Sequence, residues 1–421
     1  MEVSNMRLIF RALPATAALA AVTAGLCAHA PALAETPWGY KDLGSLGGSF
    51  IGPVPPSVTG AAIGQAFAAK GGSGTFSYSG ESIADLGNLG GTSTYFVNAA
   101  GAVAGHANAG GGSDDRAFVY SAGRLTDVGT LGGNSSHVTG LNASGQVIGY
   151  SDTAGNSSSR AFLYGNGKLT DLGTLGGSYS VAASINDAGQ VVGNAYTTGD
   201  TSSHAFLYSA GNMRDLGTLG GTTSFATAVN NAGYVIGDSY LDGNAANHAF
   251  LWADGQMTDI GTLGGSRSTA VAVNRAGQVI GNAYTTGDAS TRAFSYSGGK
   301  LTDLGTLGGT NSFALGINSY GQIIGTSDVA GDTARHSFLY SDGKMLDLSL
   351  LFPGLTNFVA DGINDAMQII GTAVSNSGLL RGLIVTPVPE PEGDWMALTG
   401  LVAVVAFACL RRRTATALRA C

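Results

Sequence analysis

The chain has 421 residues, of which 67 are Gly, with 44% apolar and only 11% charged residues and a formal charge of −8. That much apolar content can bury a core, which excludes a disordered chain; abundant Gly, Ser, Thr and Asn suit short strands and tight turns better than helices. The acidic balance, larger still once the two basic ends are set aside, repels phosphate backbones and excludes nucleic acid as a partner.

Residues 1–34 carry Arg7 and Arg11, an apolar run from Leu13 to Cys27, and then Ala32-Leu33-Ala34. A basic start, an apolar centre and small residues at Ala32 and Ala34 predict a secretory signal peptide cleaved before Glu35. The three cysteines, Cys27, Cys409 and Cys421, all lie in the end segments. Neither disulfides nor a thiolate metal site is therefore expected to hold the body (35–388) together.

One phrase organises that body. Asp-Leu-Gly-Thr-Leu-Gly-Gly or a close variant begins at Asp42, Asp85, Asp127, Asp171, Asp215, Asp259 and Asp303, with a worn copy at Asp347. The intervals are 43, 42 and then 44 residues five times over, a period that means a repeat architecture. The clearest unit reads SYSVAASIN (178–186), GQVVGNAY (189–196), HAFLYS (204–209) and MRDLGTL (213–219). Each segment is short, β-rich and bounded by turn residues, so the unit predicts four antiparallel strands, the size of a propeller blade. The first unit (about 50–88) is degenerate, the last (about 355–386) lacks its Asp-Leu-Gly strand, and a spare strand, YKDLGSL (40–46), stands before the first. The economical solution is an all-β propeller of eight four-stranded blades whose last blade is completed by the N-terminal strand, since closure removes open edges. An open β-solenoid is the alternative.

Several residues recur with the period. Asn142, Asn186, Asn230, Asn274 and Asn318 are flanked by Asn98 and Asn364, and Arg116, Arg160, His204, His248, Arg292, His336 and Arg381 open the third strands. These His and Arg residues are expected to pair with the Asp of Asp-Leu-Gly on the neighbouring strand and fix its register. An active site needs one asymmetric constellation, so seven copies of one residue read as structure. No catalytic residue, metal site or cofactor is assigned, and the chain is expected not to be an enzyme.

The loop after Gly-Gly and the loop between second and third strands should share one face, the candidate binding face. On it Tyr95, His137, Phe225, Phe313 and Phe358 follow the Gly-Gly pair, or its Pro-Gly stand-in, by four residues. They suit either an aromatic lining for sugar rings or packing between blades. Asp152, Asp200, Asp242, Asp288 and Asp332 in the second loop offer hard oxygen donors of the kind that bind calcium, but plain turns want the same residues. His106 and His137 depart singly from the repeat, with no acid or nucleophile beside them in sequence.

The tail (389–421) places Pro389-Glu390-Pro391 before an apolar stretch (395–410) and then Arg411-Arg412-Arg413. Such a stretch is short for a membrane span, though flanking arginines can anchor it.

Two resemblances follow from these motifs. His-Ala-Phe, whole in HAFLYS and HAFLW, resembles the HAF-repeat family of extracellular repeat proteins, over residues 38 to about 386. The tail resembles the PEP-CTERM sorting signal of Gram-negative bacteria. That resemblance implies an exosortase partner, a transient inner-membrane stage through 395–410, and a cell-surface or extracellular destination among exopolysaccharide and biofilm material. The expectation is a secreted, non-enzymatic repeat scaffold binding extracellular polysaccharide or matrix components. The alternatives are a propeller-type hydrolase or lyase acting on surface polysaccharide, or a protein-binding hub.

Overall fold

The computed structural model describes residues 38–43, 96–107 and 114–388, with the backbone of Tyr95, Asn108 and four strands, Gly47–Pro53, Ala62–Ala68, Ser73–Ser79 and Ser82–Gly87. The signal-peptide positions Ala32 and Ala34, the tail residues Pro389, Glu390, Pro391, Arg411, Arg412 and Arg413, and the apolar segment 395–410 lie outside the described residues. Among the described residues no helix is long and apolar enough to cross a membrane.

The described residues form eight four-stranded antiparallel units in chain order, blades I (47–87), II (95–127), III (132–171), IV (176–215), V (220–261), VI (264–303), VII (308–347) and VIII. In each of blades I to VII a strand pairs with the next in sequence, the simplest solution for segments joined by tight turns. Blade VIII is made of Leu355–Ile363, Ile369–Ser375 and Leu380–Pro387, and its fourth strand is the distant Trp38–Asp42. The register runs from Trp38 opposite Pro387 to Asp42 opposite Leu383. Blade VIII then touches the first strand of blade I, and blade I touches blade II. No single sheet closes on itself; the ring closes by packing blade against blade. An open solenoid would have left Leu380–Pro387 with a bare edge.

Blades IV, V and VI share one ladder through single parallel contacts, Ser203 opposite Thr223 and Asn247 opposite Arg267. These are blade-to-blade stitches. Because each blade is sandwiched between neighbours, its second strand hides both faces, so Val191 and Val192 are both fully buried, as are Val235 and Ile236. The recurring Phe206 packs with Ile148, Ala161 and Leu172 of the preceding blade, and each later Phe repeats the arrangement. The glycine after each such pair is forced by close approach: a Cβ on Gly237 would overlap the Phe225 carbonyl of the first strand.

The first strands surround the axis, and the Asn residues that end them tie the ring together. Nδ2 of Asn98, Asn142, Asn186, Asn230, Asn274 and Asn318 each donates to the backbone carbonyl of the corresponding Asn one blade on, at 2.7–3.3 Å. Their Oδ1 atoms accept from their own turns, as from Gln190 N–H at 2.9 Å. One side chain thus shapes a hairpin and docks the next blade.

Candidate functional site

The two loops expected to share a face do so. Asp200 Oδ1 accepts from the Ser178 amide at 2.7 Å, Asp288 Oδ1 from Ser266 at 2.7 Å, and Asp332 Oδ1 from Thr310 at 2.7 Å. Asn156 and Asn244 do the same for Asn134 and Thr222. The slot therefore recurs at 156, 200, 244, 288 and 332, and all five residues hold φ of 53–57°, a left-handed conformation that Asn and Asp tolerate. Asp152 and Asp242 do not belong to it. Asp152 accepts from Ser159 Oγ at 2.7 Å on the neighbouring strand, and Asp242 stands two residues ahead of Asn244. The slot's carboxylates face the amides of their own face, and hydrogen bonds from the Ser266 amide and hydroxyl hold the Asp288 carboxyl below its ordinary range.

Six of the seven expected register pairs are present, and Arg292 makes none with Asp303. Arg116 with Asp127, Arg160 with Asp171, His204 with Asp215, His248 with Asp259 and His336 with Asp347 lie at 2.7–3.2 Å, and Arg381 with Asp42 repeats the pair at the closing strand at 3.4 Å. The second job of the Asp is invisible in sequence: Oδ1 of Asp215 accepts from Gly217 N–H at 2.8 Å, turning the chain toward the next blade. A serine series was missed. Ser180, Ser224, Ser268 and Ser312, fully or almost fully buried, accept from Ala161, Ala205, Ala249 and Ala293 of the preceding blade and donate to its Gly carbonyls at 2.6 Å. Small residues on the first strands are therefore blade stitches as well as axis fillers. Their 44-residue spacing was the available signal.

The aromatic series holds in part. His137 stands opposite Tyr150, Phe225 opposite Asp238 and Phe313 opposite Thr326, one slot on three blades. Phe225 is 40% exposed, and the Arg335 guanidinium lies over the Phe313 ring at 4.8 Å. Phe358 departs from the series. Val359 takes the slot opposite Thr372, while Phe358 is buried against Phe352, because a one-residue shift turns a strand side chain to the other face. Tyr95 pairs with Gly105, whereas His137 precedes the residue opposite Gly149; only the backbone of Tyr95 is described.

The two aperiodic histidines come together at the junction of blades II and III. His106 and His137 meet edge to face with ring centroids 4.8 Å apart, and His137 stacks on Tyr150 at 4.7 Å. Asp115, from the third strand of blade II, reaches within 3.7 Å of His137 Nδ1. The expectation that neither histidine has an acid partner is thus corrected: packing of the third strand of blade II on the first strand of blade III supplies one that sequence spacing hides. Burial, with the neighbouring His137, lowers the pKa of His106; burial and then Asp115 and Asp152 raise that of Tyr150. His106 Nδ1 accepts from the Val138 amide at 3.3 Å.

At the opposite end of the axis the hairpins of blades II to VIII line a depression of about 780 Å³, with Asp187, Asn231, Arg275, Ser319 and Asp365 at its mouth. Most of these side chains bind one another or the next turn, as Asn231 Nδ2 does to Asp187 at 2.7 Å. Elsewhere burial pushes the Asp238 and Asp361 carboxyls up to about 6.

No family model and no curated protein matches the chain. Solved structures similar to it include the acylaminoacyl peptidase of Pyrococcus horikoshii, 9% identical at a TM-score of 0.44, with 77% of this chain and 57% of that one covered. The Porphyromonas gingivalis dipeptidyl peptidase 4 is 12% identical at 0.48 over 72% and 53%. The Aleuria aurantia lectin is 15% identical at 0.29 over 63% and 100%. The chain spans little more than half the length of the two peptidases.

Proposed function

We propose that this chain is a secreted, non-enzymatic propeller that binds extracellular polysaccharide or other matrix components through the face carrying the Gly-Gly and second-to-third-strand loops. The observation that carries this reading is a division of labour. The recurrent polar groups are engaged in the fold, whereas the slot that holds His137, Phe225 and Phe313 varies from blade to blade and keeps Phe225 half exposed. An aromatic face beside a few polar groups, such as Phe313 under Arg335, suits a sugar ring, which offers both C–H faces and hydroxyls. Several weak sites on one rigid ring bind a polymer by avidity. The signal peptide and the PEP-CTERM-like tail would deliver the body to the cell surface through an exosortase.

A glycan array probed with residues 35–388 tests the reading. Binding that weakens in Phe225→Ala and Phe313→Ala supports it; an empty array beside clear capture of one protein partner would replace it with an interaction hub. The His106, Asp115 and Tyr150 groups around His137 give a second reading, a polysaccharide hydrolase or lyase, since they put candidate acids and bases within reach of one another. Loss of viscosity in a polysaccharide solution is its test.

A further inference from the structure

We propose that His106, Asp115 and His137 form a binding site for one borderline-soft divalent metal ion, of the zinc, copper or nickel class, bridging blades II and III. One donor atom from each residue lies within 4.8 Å of the other two, and His137 Nδ1 is already 3.7 Å from Asp115 Oδ2. Metal–ligand bonds of about 2.0–2.2 Å put neighbouring donors roughly 3–3.5 Å apart, so side-chain rotations of about an ångström assemble the site. Two imidazoles and one carboxylate favour this class of ion over calcium, which prefers an all-oxygen shell.

The placement separates this cluster from an accident of surface composition. Each of the three positions belongs to a periodic slot. At the junction of blades IV and V the matching residues are Asn194, Ser203 and Phe225; at that of blades VI and VII they are Asn282, Thr291 and Phe313. Neither set offers an imidazole or a carboxylate, while at blades II and III all three slots carry one.

The surroundings prepare the donors. The Val138 amide points at His106 Nδ1 from 3.3 Å, which marks that nitrogen as unprotonated. A metal taking it displaces only a long hydrogen bond. Stacking on Tyr150 fixes the His137 ring. The His137 and Asp115 side chains are 25% and 30% exposed, so an ion has a path in from solvent. Three protein donors leave at least one coordination position for water or for an oxygen of a ligand held on the same face.

The test loads the full chain, stripped with chelator, with one equivalent of Cu2+ and counts coordinated imidazoles by pulsed electron paramagnetic resonance. Two imidazoles on one copper are expected; one or none overturns the proposal without any substitution. Titration with Zn2+ and Co2+ then follows the same site. Binding should be one to one, with a cobalt spectrum free of the thiolate charge-transfer intensity that the cysteines would give. His106→Gln, His137→Gln and Asp115→Asn should each weaken binding by at least about tenfold, with circular dichroism unchanged. His336→Gln, at the register pair of blade VII across the ring, should bind as the parent does. Equal binding by all four variants, or no binding by the parent at millimolar zinc, refutes the site.

Discussion

Asp238 is the residue at which the fold works against its own chemistry. It sits in the second-strand slot where its Oδ1 accepts from the Ala270 amide of the next blade at 3.1 Å, a stitch that needs an acceptor and no charge. Asn282 fills the corresponding slot one blade on and accepts from Ala314 at 2.8 Å. Burial raises the Asp238 carboxyl from 3.8 to about 6, so the folded state binds its proton more tightly than the unfolded chain does. The sign follows: the favourable contribution is full below pH 3.8 and is lost as the pH rises through about 6. A difference of about two units corresponds to roughly 3 kcal/mol. Asp238→Asn, which keeps the acceptor and removes the charge, should therefore be the more stable protein at pH 7 by up to about that amount. The two should converge below pH 4. Denaturant titrations across this range check it; a gap that does not vary with pH would mean the carboxyl never pays for burial. Such residues were partly legible. The strict period leads to 156, 200, 244, 288 and 332, whereas choosing aspartates by type gathered Asp152 and Asp242, which belong to other slots. Asp115 could not be found that way: it stands beside His137 only because blade II packs on blade III.

At the scale of the strand, the stitches between blades should matter more than the pairs that mark register. Ser224 is fully buried, accepts from the Ala205 amide at 2.8 Å and donates to the Gly217 carbonyl at 2.6 Å, so two groups of blade IV depend on one hydroxyl of blade V. Ser224→Ala leaves both unpaired away from water and should cost about 2–3 kcal/mol. The His204 and Asp215 pair is more exposed, with side chains 22% and 43% accessible. Asp215→Ala should cost only about 1 kcal/mol, the sum of a surface pair and a turn hydrogen bond. Equilibrium unfolding of the two variants decides the order, and a larger loss for Asp215→Ala would reverse it. The strands themselves were legible because each is a short β-rich run between turn residues. The stitches were less so, since a serine every 44 residues in a small-residue strand reads equally well as filler.

For the whole molecule, the decisive contact is the one that joins the two ends of the repeat array. Trp38–Asp42 supplies the fourth strand of blade VIII; Tyr40 meets Phe352 edge to face at 5.6 Å, Leu43 is buried with Ile370 and Ile384, and Asp42 pairs with Arg381. This was the most legible feature of the fold, because a spare Asp-Leu-Gly strand before the first unit and a missing one after the last fit each other and nothing else in the chain. Removing residues 38–42 strips one strand from blade VIII and bares the edge of Leu380–Pro387, an unpaired row of amides and carbonyls that can template association. In a ring every blade rests on two neighbours, so opening one junction frees both blades beside it. An open array would lose only its terminal strand, since its stability is close to a sum over neighbours. The deletion should therefore lower the melting temperature of the entire body, broaden its calorimetric transition and promote aggregation seen by light scattering. Arg381→Ala, which breaks the ion pair and keeps the strand, should change the melt little. A deletion mutant that melts like the parent would mean that the blades hold their arrangement without closure.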